Sequence, residues 1–105
     1  MLTIYGTILQ VLRDLRPVVA KIETHDRDLG KQLRRAATSM ALNAAEGSGS
    51  SGGTRRERYR SALGSARESG ACIDAAVALG YVDKVDPVLL DRLDHVQAVL
   101  AKVTA

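Results

Sequence analysis

Leu33–Gly47, LRRAATSMALNAAEG, is the stretch from which the fold is read. It opens on an arginine pair, Arg34 and Arg35, and its alanines, Ala36, Ala37, Ala41, Ala44 and Ala45, form a small-residue face that a second helix can approach closely. Asn43 and Glu46 then stand three residues apart, neighbours on one helical face, just before Gly47. Two readings of that pair stand open. It is a hydrogen-bonded couple that fixes a helix end, as a polar group among alanines must be satisfied if buried, or it is a contact for a ligand or partner.

Downstream, the segment Gly47–Gly53 contains only Gly and Ser and reads as a flexible connector. Its G-S-G-S-S-G string spells a dinucleotide fingerprint, but it follows a helix and no βαβ unit surrounds it, so a turn is the better reading. Thr54-Arg-Arg-Glu57 has the form of a capping box that would open the third helix. That helix carries a four-three seam of Tyr59, Leu63, Ala66, Gly70, Ile73 and Val77. Gly64 and Gly70 in its interior are each unfavourable by roughly 1 kcal/mol, which predicts close approach of a neighbouring helix at both. Gly80 is placed to end the helix, with Tyr81 folding back on the last turn.

Upstream, Ile4, Ile8, Val11, Leu15, Val18 and Ile22 make the seam of a first helix from Thr3 to Glu23, widened by Tyr5, Leu9, Leu12 and Val19. Pro17 inside it predicts a kink or a break. Thr24, Asp26 and Asp28 are the candidate caps of a second helix that runs to about Glu46 and buries Leu29, Leu33, Ala36, Met40 and Ala44. Asp86-Pro87 starts a fourth helix, with Leu89, Leu93, Val96, Leu100 and Val103 in its seam. Four seams and three short connections in 105 residues predict one all-α domain, an antiparallel up-down four-helix bundle.

The order of several of these residues resembles the four-helix-bundle family of ribosomal-RNA intervening-sequence proteins, which includes the accessory protein of diversity-generating retroelements. Gln32, Arg35 and Ala36 open the pattern; Ser39, Asn43, Ala45, Glu46 and Gly47 follow, then Gly64, Ser65 and Glu68, and it closes on Leu79, Gly80 and Tyr81. The resemblance implies a ring of identical bundles, a homopentamer with a central channel. It also implies that the chain binds nucleic acid and has a reverse transcriptase as a protein partner.

Charge is unevenly spread. Residues 31–67 hold Lys31, Arg34, Arg35, Arg55, Arg56, Arg58, Arg60 and Arg67 against Glu46 and Glu57, whereas residues 68–105 are net acidic. Arginine forks grip phosphate bidentately where lysine is a point charge, so Arg34, Arg35, Arg55, Arg56, Arg58 and Arg60, flanking one loop, are the candidate nucleic-acid contacts and are expected at one end of the bundle. The competing reading makes them a solvating surface on a protein–protein scaffold. With three Tyr and no Phe or Trp, base stacking has few platforms, so contacts would go to the phosphate backbone. His25 and His95 lack partners at metal-ligand spacing, and Cys72 reads as a buried small hydrophobe in a reducing cytoplasm. Asp91 and Asp94 fall opposite the seam, on a solvated face. No catalytic constellation is found; the expectation is a protein that is not an enzyme, with no cofactor, no metal and no membrane span.

Overall fold

The computed structural model describes residues 2–105. It contains four helices, α1 (Ile4–Glu23), α2 (Arg27–Ser48), α3 (Gly52–Ala78) and α4 (Pro87–Thr104), and no strand among the described residues. At about 1.5 Å per residue, the longest helix accounts for the long dimension of a 42 × 24 × 20 Å body. Each helix packs on its chain neighbour, and α1 packs back on α4.

Bonds at the two ends define the direction of every helix. At one end Leu2 N donates to Ser48 Oγ at 3.3 Å, Ser48 Oγ lies 3.2 Å from the Tyr59 hydroxyl, and Arg56 donates to the Thr104 carbonyl. This gathers the start of α1, the end of α2, the start of α3 and the end of α4. At the other end the Tyr81 ring stacks on His25, centroids 5.3 Å apart, and its hydroxyl reaches 3.5 Å from Asp26 Oδ2. Neighbouring helices therefore run antiparallel around a single core in which Ile8, Leu15, Ile22, Leu33, Met40, Leu89, Val96 and Leu100 are fully buried.

The caps follow the sequence closely on two helices. Asp26 accepts from Leu29 N at 3.0 Å and Asp86 from Val88 N at 2.9 Å. Gly80 takes φ +79°, and the amides of Gly80 and Tyr81 return to the carbonyls of Val77 and Ala76, the paired bonds of a Schellman end. Tyr81 then leaves its own helix and covers His25.

Five expectations are corrected. The helix α1 runs through Pro17 without the break, and Pro17 is exposed. The inner residue of its third turn pair is Val19, not Val18. On α3, Val77 is 41% exposed and the buried face is Tyr59, Ala62, Leu63, Ala66, Ser69, Cys72, Ile73 and Ala76. On α4, Val103 is 42% exposed and Thr104 is buried, its hydroxyl returned to the Leu100 carbonyl at 2.7 Å. Gly64 meets nothing within 4 Å, and a Cβ on Gly70 would be in ordinary contact with Gln97 and Leu93, so neither marks a close helix crossing. The tight glycines are two others: a Cβ on Gly47 would lie 2.5 Å from Tyr59 Cδ1 and nearer still to Cε1, and one on Gly30 would run into the Glu23 side chain. Cys72 is buried as expected; burial first, then the Glu68 charge, hold its thiol above its ordinary pKa and so in the protonated, unreactive form.

Candidate nucleic-acid interface

The connection between α2 and α3 is shorter and stiffer than its composition suggests. Gly47 and Ser48 belong to α2 and Gly52 to α3, leaving three residues between the helices. A helix end leaves its last four carbonyls without helical partners, and those of Ala45, Glu46 and Gly47 are bonded here. Ser48 Oγ donates to the Ala44 carbonyl at 3.0 Å, and Gly49 N to that of Ala45 at 3.2 Å. Ser50 Oγ donates to the Glu46 carbonyl at 2.8 Å, and Ser50 N and Arg55 Nε both reach that of Gly47. Because the chain turns this early, Thr54 falls inside α3, Ser51 takes the N-cap place without a side-chain bond, and the predicted capping box does not form.

The six candidate arginines divide by what they touch. Arg55 bonds the Gly47 and Ser50 carbonyls, and Arg56 bonds the Thr104 carbonyl through Nε and Nη2 at 3.3 and 3.2 Å. Both are cations at helix C-termini, the favoured end for positive charge. Arg34 pairs with Glu23, and Arg58 with Glu46 at 3.2 Å, in contacts that leave both guanidiniums about half exposed. The side chains of Arg35 and Arg60 are exposed and make no hydrogen bond or ion pair among the described residues. Arg56→Gln should fray the last turn of α4 and lower stability by about 1 kcal/mol or less, seen as faster amide exchange confined to the end of α4.

The arginines do not collect at one end. Arg35 lies thirteen residues, roughly 20 Å at the helical rise, before the last residue of α2. Instead Arg34, Arg35 and Arg58 line one open groove of about 440 Å³ along the outer side of α2, with Thr38, Ser39, Leu42, Asn43 and Glu46. Arg58 also borders a second hollow with Arg60, Thr54, Glu57 and Ser61 on α3. Arg67 was not among the sequence candidates. It is exposed on α3 seven residues beyond Arg60, a spacing that returns to nearly the same helical face.

Asn43 and Glu46 are not bonded to each other. Asn43 Nδ2 donates back to the carbonyl and hydroxyl of Ser39, both at 3.0 Å, and Ser65 Oγ from α3 donates to Ser39 Oγ at 2.9 Å. Glu46 turns outward to Arg58. The pair thus belongs to the α2–α3 seam through two separate links, with Gly47 admitting the Tyr59 ring beneath them. Gly64 and Glu68 are exposed on α3, outside these links.

Among the described residues no three His, Cys, Asp or Glu side chains gather as a metal site, and no helix is long and apolar enough to cross a membrane. No curated protein and no solved structure matches the chain significantly. The description of one family does, over residues 4–102, which is all four helices short of the last turn, and on that match the chain belongs to the 23S rRNA-intervening sequence proteins.

Proposed function

We propose that this protein is a non-enzymatic, cytoplasmic homo-oligomer, a ring with five subunits favoured, that binds nucleic acid by its phosphate backbone along the α2–α3 flank. The observation that carries the reading is the α2 groove, where three exposed guanidiniums stand against one carboxylate, Glu46, beside the hydrogen-bonding side chains of Thr38, Ser39 and Asn43. Arg35 and Arg60, which make no ion pair among the described residues, lead the contact set, with Arg58 and Arg34 behind them because Glu46 and Glu23 share them. Arg55 and Arg56 shape the flank by holding helix ends. The family's description, which concerns an intervening sequence of 23S rRNA, supports RNA as the polymer.

Phosphate contacts release condensed counterions, so log affinity should fall with log salt by roughly 0.7–0.9 per contact. Arg35→Gln/Arg58→Gln/Arg60→Gln should flatten that slope by about 2 to 3 and weaken unrelated RNA sequences alike, since phosphate contacts read no bases. Lys84→Gln/Lys102→Gln, away from the flank, should leave both unchanged. Wild-type protein that gives no gel shift at about 50 mM salt, where such contacts are strongest, defeats the reading. A protein–protein scaffold would then replace it, a role favoured by the number of these arginines already bonded within the chain.

A further inference from the structure

We propose that copies of this chain dock head to tail, the basic α1–α2 groove of one receiving the acidic α3–α4 face of the next. The inference rests on the homo-oligomeric part of the reading above and names the surfaces that would meet. Between α1 and α2 an open groove of about 420 Å³ has an apolar floor that includes Leu12, Leu15, Val19 and Ala37. Arg13 and Arg16 stand exposed along its edge, and its one carboxylate, Glu23, is already tied to Arg34. An apolar floor with a cationic rim fits a helical surface that offers an aliphatic side chain flanked by acids.

The chain itself carries such a surface. In the hollow between α3 and α4, Leu90 is 37% exposed beside Asp74 and Asp94, with Asp91 exposed on the next position of α4. Arg67 lines the same hollow, so these four charges sum to −2, against +2 from Arg13 and Arg16. Because α1 and α3 each pack on both α2 and α4, the α1–α2 and α3–α4 flanks lie on opposite sides of the bundle. One copy can therefore offer both surfaces at once. A contact between two different surfaces is heterologous, and repeats into a ring where the rotation closes. Charge at the rim would set register and partner choice while the apolar contact supplies adhesion. The two grooves share Arg34 and Thr38, while Arg35 and Arg58 line only the α2 groove.

The test is sedimentation at micromolar protein and about 50 mM salt, a concentration that leaves surface charge pairs little screened. Asp91→Arg/Asp94→Arg alone and Arg13→Asp/Arg16→Asp alone should each sediment as the 11.2 kDa monomer. An equimolar mixture of the two should associate again beyond the monomer, because one variant keeps the native groove, the other keeps the native face, and the reversed pair again has opposite signs. Since only unlike copies can then touch, the mixture forms even-numbered or open assemblies and not an odd ring. A variant that had merely lost its fold could not re-enter an assembly, so dissociation without recovery on mixing overturns the proposal. Wild-type protein that stays monomeric overturns the oligomeric reading and this inference together. Wild-type protein that assembles while both variants assemble equally well overturns this inference alone.

Discussion

Gly47→Ala should lower the melting temperature by about 5–15 °C, the equivalent of roughly 1–3 kcal/mol of overpacking in a domain of this size. The added methyl would enter the Tyr59 ring itself and not the end of a flexible chain. That ring has little room to yield: Tyr59 is 6% exposed and its hydroxyl is held by Ser48. Arg58 Cβ, at 3.3 Å from the added atom, closes the other side. The same substitution at Gly64 should act oppositely. Gly64 lies inside a helix with nothing within 4 Å, so a methyl there removes backbone freedom from the unfolded chain and should stabilise by about 0.5–1 kcal/mol. Thermal melts of the two variants, run beside wild type, should move in opposite directions. A rise for both would mean that α2 and α3 stand further apart at this end than the Tyr59 contact requires.

Much of the bundle is legible before any coordinates, and the misses have physical causes. Large aliphatic residues at Ile4, Ile8, Val11, Leu15 and Ile22, and at Leu89, Leu93, Val96 and Leu100, mark their helices and are buried. The seam goes wrong at Val18 and Val103, late in each helix. A strict seven-residue repeat slips about 20° per heptad on a straight helix, so after two heptads the repeat residue stands about 40° to one side and its successor about 60° to the other. The pattern no longer decides between them, and packing buries Val19 and Thr104. On α3 the cause differs. Its buried face is built from Ala62, Ala66, Ser69, Cys72 and Ala76, residue types that sit as readily outside as in, and the period is nearly silent there.

The site shows the same division. Charge density located the arginines, because composition reports charge directly. Which of them are engaged depends on partners distant in sequence: Thr104 for Arg56 across 48 residues, and Glu23 for Arg34 across 11. Spacing likewise singled out Asn43 and Glu46 while missing that their partners, Ser39 with Ser65 and then Arg58, tie α2 to α3. The shortness of the turn was hidden because Gly and Ser permit flexibility without requiring it, and the bonds that remove it come from Arg55 and the serine hydroxyls.

Leu33→Ala should destabilise the domain by about 2–5 kcal/mol, whereas Leu42→Ala should change stability by no more than about 0.5 kcal/mol. Both are leucines of α2 and lie nine residues apart, which at 100° per residue is half a circle. Leu33 is 0% exposed in the core; Leu42 is 58% exposed in the groove that carries Arg35 and Arg58. Truncating Leu33 removes buried methyl groups and leaves a cavity that the surrounding helices fill only in part, and the second term is what lifts the cost above simple transfer. Stabilities of roughly 0.05–0.15 kcal/mol per residue place a domain of this length at about 5–15 kcal/mol, so the loss is a large fraction of the whole. Urea unfolding followed by circular dichroism should show the midpoint of Leu33→Ala falling sharply with an unchanged slope. RNA affinity of the still-folded Leu42→Ala protein should hold, since an aliphatic side chain contributes no phosphate contact. An equal fall in midpoint for the two variants would place Leu42 inside the packed body and remove the α2 groove as an open surface.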